Sequence, residues 1–249
     1  MRAARRPQGA VGLGAVDLLA ERATRSGRRV GLVVGCLAGG EQRVVGYGRL
    51  RKETRDTPDG GTIFEIGSIT KVFTGLLLAD LAEQGIVGLD DPLASYLPSS
   101  VRVPTRGERQ ITLGDLAGHT SGLPRDPKGT AGRWLGDRHN PYAGLSVQEL
   151  YGGLARTRLR RRPGERVRYS NLGAGLLGQA LARAAGQPYQ ALVRERICLP
   201  LGMRDTVVTP TGEQATRLAT GYTAPSGVET AVEQLVDRLR GQRAESAEG

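Results

Sequence analysis

A serine and a lysine one helical turn apart, just before a long apolar segment, constrain the fold of this chain more than any other feature. The sequence Ser68-Ile-Thr-Lys71 leads into residues 71–84, which are followed by Gly85. The apolar residues of this segment recur at helical spacing: Val72, Leu76, Leu77 and Leu81. Residues i and i+3 share a helix face, and glycine often ends a helix. The sequence therefore predicts a helix over 71–84 with both polar side chains together at its start.

The pairing of Ser68 with Lys71 is typical of an activated nucleophile. A free lysine, with a pKa of about 10.4, becomes an effective base only when burial or a neighbouring cation lowers that value. The chain has lysine only at positions 52, 71 and 128, which makes an incidental lysine here less expected. The alternative is structural: Ser68 caps the helix and Lys71 is solvated. These four residues alone leave both readings open.

The length and composition predict one folded domain. A chain of 249 residues with 39% hydrophobic and 24% charged residues can bury a full core. Residues 29–37 and 42–48 are strand-like and flank a glycine-containing turn, which predicts a hairpin. Helices are expected over 16–23, 146–157, 172–185 and 188–197. Cys36 and Cys198 lie in apolar runs and are predicted to be buried thiols.

The charge of the chain is strongly basic, with 35 basic against 25 acidic residues and a net charge of +10. Such a charge favours approach to anionic surfaces. The one dense run, from Arg156 to Arg168, has no interleaved aromatic residues for base stacking and belongs to no nucleic-acid-binding module. We therefore predict a solvated face rather than a nucleic-acid site.

The N-terminus resembles a secretory signal only in its basic residues. The apolar stretch that follows is short and is interrupted by Asp17, whereas a signal peptide needs an unbroken apolar core of about 7 to 15 residues. No stretch of the sequence has the length and apolarity of a transmembrane segment. We expect a cytoplasmic protein with no transmembrane segment.

A second group of chemically useful residues is Tyr169-Ser170-Asn171, at the start of a predicted helix. A phenol transfers protons readily when nearby cations favour its phenolate, and Lys71 could supply such a charge. A carboxamide offers a donor and an acceptor to the amide of a substrate. The alternative is that Tyr169 is a core residue with a satisfied hydroxyl.

Five segments in a fixed order resemble the serine beta-lactamase-like superfamily, in the branch of class C beta-lactamases, D-alanyl-D-alanine carboxypeptidases and related esterases. They are Phe-Glu-Ile-Gly-Ser-Ile-Thr-Lys at 64–71, Leu-Asp-Asp-Pro at 89–92, His-Thr-Ser-Gly-Leu-Pro at 119–124, Pro-Gly-Glu with Tyr-Ser-Asn within 163–171, and Pro-Leu-Gly-Met at 200–203. The resemblance implies an α+β, beta-lactamase/transpeptidase-like fold with an N-terminal hairpin and a large helical region. It places one such domain over 1–225, followed by an amphipathic helix and tail over 226–249.

The resemblance also implies roles for individual residues. Ser68 would be the acylated nucleophile, Lys71 its base or base partner, and Tyr169 the second proton-transfer group, while Asn171 would orient the substrate. The backbone N–H of Ser68 would supply one oxyanion donor, and His119 would be structural. The implied activity is that of a serine hydrolase forming an acyl-enzyme with a lactam, a D-Ala-type peptide or an ester. No cofactor or metal is expected.

One part of the family pattern is not found. These proteins carry a Lys-Thr-Gly or His-x-Gly strand downstream of the tyrosine, and residues 172–249 contain neither. We therefore expect the C-terminal sheet strands to be lacking, together with one oxyanion donor, whose loss costs about 10²–10³ in turnover. The alternative function is a non-catalytic binding or assembly protein that forms oligomers through the exposed edge of the hairpin.

Overall fold

The computed structural model describes residues 13–25, 29–129 and 142–222, which form two compact units. The first unit comprises the described residues up to 65 together with 211–222, and the second comprises those from 66 to 210. The helix and tail predicted over 226–249 lie outside the described residues. The single domain predicted over 1–225 stays a prediction.

The first unit is built on a β-hairpin. Strand β1 (Gly31–Ala38) pairs antiparallel with strand β2 (Glu41–Gly48), and helix α1 (Leu13–Arg25) packs against both strands. Ala38 pairs with Glu41, so the connecting turn is Gly39-Gly40, whose φ angles are 59° and 83°. Two successive positive φ angles define a tight turn that glycine adopts without strain. The predicted hairpin is confirmed.

The second unit is helical. Its elements are a 3₁₀ turn (Gly67–Ile69), α2 (Thr70–Glu83), a 3₁₀ turn (Leu93–Tyr96), α3 (Leu113–Ala117), α4 (Val147–Ala155), α5 (Asn171–Ala184) and α6 (Tyr189–Leu192), which continues as a π-helix (Val193–Cys198). A short helix in the first unit, α7 (Gly212–Thr216), was not predicted. Within the described residues, no helix has both the length and the apolarity to cross a bilayer.

Leucine side chains dominate the core of the second unit. Helix α5 buries the complete stripe that its sequence predicts: Leu172, Leu176, Leu177, Ala180 and Leu181. This stripe packs in one cluster with Leu77 and Leu81 of α2. Each fully buried leucine contributes about 1.5–3 kcal/mol relative to an exposed one. The core therefore fixes α2 against α5, which are the two helices that begin with the predicted site residues.

The four apolar residues that recur at helical spacing in α2 do not all lie on its buried face. Val72 is 59% exposed and Leu76 is 47% exposed, whereas Thr74, Leu77, Leu78 and Leu81 are buried. At 3.6 residues per turn, positions 72 and 76 lie about half a turn away from the buried face. The helix is apolar on both faces, so periodicity alone did not identify the inner one. Cys198 is buried as predicted, but Cys36 is only partly buried, because a two-stranded hairpin packed against one helix covers few side chains.

Candidate active site

Ser68 and Lys71 lie together at the start of α2. Ser68 is in the 3₁₀ turn that leads into the helix, and its residue is exposed. The Lys71 side chain reaches back along the helix and donates a hydrogen bond from Nζ to Ser68 Oγ at 3.1 Å. The structure therefore brings the two residues together as their spacing predicts, and leaves the hydroxyl open to a ligand.

Tyr169 contacts the same hydroxyl from the other side. Its phenolic oxygen lies 2.6 Å from Ser68 Oγ, and the Lys71 ammonium lies 4.7 Å from the centre of its ring. The tyrosine is 41% exposed. Ser68 Oγ thus lies within hydrogen-bonding distance of both Lys71 Nζ and the Tyr169 hydroxyl.

The pKa of Tyr169 is lowered from its ordinary value. Hydrogen bonding from Lys71 is the largest cause, followed by hydrogen bonding with Ser68, while partial desolvation opposes both. The charges of Lys71 and Arg125 lower this pKa further. A cation beside a phenol favours the phenolate, which is the form that can take a proton from Ser68.

Asn171 is held by three side chains in this structure. Its Oδ1 accepts a hydrogen bond from Lys71 Nζ at 2.9 Å, and its Nδ2 donates to the Tyr142 hydroxyl at 2.8 Å and to Asp126 Oδ1 at 3.3 Å. The carboxamide therefore orients the lysine directly. The role predicted for Asn171, holding the amide of a substrate, stays a prediction and requires the exchange of one of these bonds.

Sequence reasoning missed Tyr142 and Asp126. The Tyr142 hydroxyl donates a short hydrogen bond to Asp126 Oδ1. Desolvation, together with this contact, raises the pKa of Tyr142 to about 12, so its hydroxyl stays protonated at neutral pH. The two residues are 16 positions apart and belong to none of the recognised segments, so only the folded chain reveals them.

Ser170 fixes the two residues on either side of it. It is fully buried, and its Oγ donates to the Pro124 carbonyl at 2.7 Å and accepts from the Gly173 N–H at 2.8 Å, as a helix N-cap. The N–H groups of Asn171 and Leu172 both donate to the Arg125 carbonyl. The loop after the His-Thr-Ser-Gly-Leu-Pro segment therefore anchors the first turn of α5.

His119 supports the site without contacting Ser68 in the structure. Its backbone is left-handed, with φ of 58°, and its ring centre is 4.6 Å from that of Tyr169. Its Nδ1 accepts a hydrogen bond from the Ser170 N–H at 3.3 Å. Burial, and then the charge of Lys71, lower the pKa of His119, which favours the neutral ring that this bond requires. These contacts are those of a structural residue.

A cavity of about 550 Å³ opens beside these groups. Ser68, Lys71 and Asn171 line one end of it, and Gly175 and Gly178 of α5 also line it. The rest of the lining includes Tyr142, Leu145, Val147, Leu150, Leu172 and Tyr189. Ligand sites commonly have this size and combine apolar walls with a few polar groups. In residues 13–25, 29–129 and 142–222, no cluster of three metal-ligating side chains occurs.

Comparison with known proteins finds relatives that cover most of the chain. The family model described as Beta-lactamase matches residues 16–245. The chain is 41% identical over 181 residues to the D-alanyl-D-alanine-carboxypeptidase/endopeptidase AmpH of Escherichia coli strain K12, a match covering 72% of this chain and 46% of that protein. The chain thus spans about half the length of this curated relative.

Solved structures show the same fold. A beta-lactamase/D-alanine carboxypeptidase from Yersinia pestis, complexed with citrate, has a TM-score of 0.71 at 33% identity, covering 82% of this chain and 60% of that one. A class C beta-lactamase from Rhodobacter sphaeroides has a TM-score of 0.69 at 30% identity, with coverages of 84% and 55%. An octameric penicillin-binding protein homologue from Pyrococcus abyssi has a TM-score of 0.71 at 26% identity, with coverages of 86% and 48%.

Proposed function

Since this chain belongs to the beta-lactamase family of serine hydrolases, we propose that it hydrolyses a lactam, a D-Ala-type peptide or an ester through an acyl-enzyme on Ser68. One observation carries the proposal: Ser68 Oγ is exposed and lies 3.1 Å from Lys71 Nζ and 2.6 Å from the Tyr169 oxygen. A helix cap would need neither of these contacts. The geometry therefore favours the nucleophile over the structural reading of the same residues.

The proton of Ser68 passes to Tyr169 in the proposed acylation. Lys71 donates to Ser68 Oγ and to Asn171 Oδ1, an oxygen that can only accept, and its hydrogen bonding with Tyr169 lowers the pKa of that phenol. The lowered pKa of Tyr169 makes its phenolate the acceptor, with Lys71 as the cation that stabilises it. Asn171 holds the lysine in place for this task.

The proposed reaction has two steps, acylation of Ser68 and hydrolysis of the acyl-enzyme. Ser68 Oγ attacks the carbonyl carbon, and the resulting oxyanion is stabilised by the backbone N–H of Ser68 at the start of α2. Tyr169 gives the proton to the leaving amine or alcohol as the bond to it breaks. In the second step Tyr169 takes a proton from water, and the resulting hydroxide attacks the acyl carbon. The bond between that carbon and Ser68 Oγ breaks, which releases the acid, and Tyr169 returns the proton to Ser68 Oγ.

The cavity supports an acyl group with a bulky apolar part. Its walls beside Ser68 are formed by leucine, valine and tyrosine side chains, and no Cβ occupies the positions of Gly175 and Gly178. The relatives named as carboxypeptidases and beta-lactamases support a D-Ala-type peptide or a lactam. Substrates with a large apolar acyl side chain should therefore react faster than acetyl analogues.

The direct test is covalent labelling. The chain is incubated with a fluorescent penicillin and with a nitrophenyl ester, and the modified peptide is identified by mass spectrometry. We expect one adduct, on Ser68, that is absent in Ser68→Ala. The matched control is Ser95→Ala, which removes an exposed serine of the 3₁₀ turn Leu93–Tyr96 and should label normally. An adduct on any other residue would refute the assignment.

A second candidate function, assembly through the hairpin, rests on a separate observation. In the described part of the chain the sheet has two strands, and Leu37 of β1 is 77% exposed. A strand with an open edge can pair with another chain. Sedimentation velocity should then show oligomers that Leu37→Lys converts to monomers. A stable monomer that acylates at Ser68 would contradict this candidate and support the first.

A further inference from the structure

A second cleft lies in the helical unit, with a volume of about 400 Å³. It is lined by Gly122, Arg160, Arg161, Arg162, Arg166, Val167 and Arg168, and is called the arginine cleft here. It shares no residue with the cavity beside Ser68. Inferences about the arginine cleft therefore do not depend on acylation.

Among the residues that the structure describes, the five arginine side chains of the cleft have no anionic partner. All five residues are exposed, and within the described residues no ion pair or side-chain hydrogen bond engages their guanidinium groups. Other arginines differ: Arg109 pairs with Asp115 at 3.2 Å. Glu165, a carboxylate of the same segment, accepts a hydrogen bond from the backbone N–H of Arg162. Five positive charges share one concave surface, so an anion bound there meets an attractive field.

The backbone around the cleft is fixed by hydrogen bonds. The Arg168 N–H donates to the His119 carbonyl at 2.7 Å, and the Gly164 N–H donates to the Thr120 carbonyl at 2.9 Å. Gly122 has a φ of 74°, and a Cβ there would lie 3.2 Å from the Arg161 carbonyl oxygen. The turn and the arginine segment therefore pack too closely for a side chain at position 122, and the concave shape is built by the backbone.

We propose that the arginine cleft binds a ligand with two or more neighbouring phosphate groups. Guanidinium groups recognise phosphate by paired hydrogen bonds, and the five of this cleft can engage more than one phosphate in this way. A short phosphate chain brings several negative charges into one cleft. No aromatic side chain is found among the described residues that line the cleft, so we expect no stacking on a nucleobase and recognition of the phosphates alone.

The test is a calorimetric titration of the full chain with inorganic triphosphate. ATP forms a second arm, because it carries the same chain of phosphates attached to a nucleoside. We expect comparable affinity for both and much weaker binding of inorganic monophosphate at matched ionic strength. Much tighter binding of ATP than of triphosphate would contradict recognition through phosphate alone. Binding of a short DNA duplex without binding of triphosphate would overturn the proposal in favour of nucleic acid.

Variants locate the binding. The double variant Arg161→Gln/Arg166→Gln should weaken triphosphate binding on the order of tenfold for each guanidinium removed. The variant Arg161→Lys/Arg166→Lys keeps the charge but loses the paired hydrogen bonds. Its affinity for triphosphate should lie between that of the wild type and that of the glutamine variant. The matched control, Arg55→Gln/Arg194→Gln, removes two exposed arginines outside the cleft with the same change in charge. Equal losses in the cleft and control variants, both shown to be folded by circular dichroism, would refute the assigned site.

Discussion

The cavity beside Ser68 and the arginine cleft differ in how their polar groups are partnered. At the cavity, Lys71 and Asn171 hydrogen-bond to each other, and Ser68 contacts both Lys71 and the neighbouring Tyr169. In the cleft, five guanidinium groups have no such partner among the described residues. The first arrangement is preorganised for a reaction, whereas the second is completed only by a ligand. The predictions below test this contrast, starting with the largest effect.

Removing the hydroxyl of Tyr169 should have the largest effect. Tyr169→Phe keeps the ring beside His119 but deletes the proton-transfer group, and we expect acylation to slow by about 10²–10⁴-fold. Because the pKa of Tyr169 is lowered and its phenolate is the active form, the wild-type rate should rise with pH and level off below the ordinary tyrosine pKa. Stopped-flow acylation across pH measures both. A variant with an unchanged pH profile would contradict the role of Tyr169.

Two adjacent leucines of α2, one buried and one exposed, test which face of the helix stabilises the fold. Leu77 is fully buried, so Leu77→Ala should lower the free energy of unfolding by about 2–5 kcal/mol. Leu76 is 47% exposed, and Leu76→Ala should change the free energy of unfolding by less than about 0.5 kcal/mol. Urea denaturation followed by circular dichroism measures both. Equal losses would show that the exposed face of α2 is covered in solution.

Tyr142→Phe tests whether the cavity is preorganised by residues outside the family segments. The substitution removes the acceptor of the Asn171 amide and the donor to Asp126. Lys71 should then be held less firmly, and we expect acylation to slow about tenfold with little change in stability. The control is Tyr151→Phe on α4, which lines neither the cavity nor the arginine cleft. Equal rates for the two variants would show that Tyr142 has no positioning role.

The smallest expected effect is on the stability of the ligand-free chain when arginines of the cleft are replaced. Arg161→Gln/Arg166→Gln removes mutual repulsion, so it should stabilise the folded chain slightly, within about 0.5 kcal/mol. The gain should shrink at high salt because exposed charges are screened. Denaturant unfolding at two ionic strengths measures it. A loss of stability would indicate that these arginines already have partners in solution, and the contrast with the cavity would fail.

The sequence predicted the parts of the fold and the site that depend on local patterns. The hairpin followed from two strand-like segments around the turn that contains Gly39-Gly40, and the meeting of Ser68 with Lys71 followed from helical spacing. The contact of Tyr169 with Ser68 joins residues 101 positions apart and was expected only through the family resemblance. Their catalytic roles stay predictions.

Other features depend on packing that no local pattern records. Helical spacing did not identify the buried face of α2, because Val72 and Leu76 are apolar yet exposed, and packing with α5 in the core determines which side is buried. Tyr142 and Asp126 reach Asn171 through tertiary folding, without a motif. The arginine run was expected to be solvated, but its concave shape depends on hydrogen bonds to the turn at 119–120.

The backbone at Ser170 is extended, with φ of −137° and ψ of 114°. This conformation explains why Tyr169 and Asn171 are spaced two residues apart. Side chains alternate in direction along extended chain, so the serine points into the protein while both its neighbours point outward together. The phenol and the carboxamide therefore arrive at the cavity as a pair. Inserting a single residue between them would turn one of the two away, and no substitution elsewhere could restore the lost alignment.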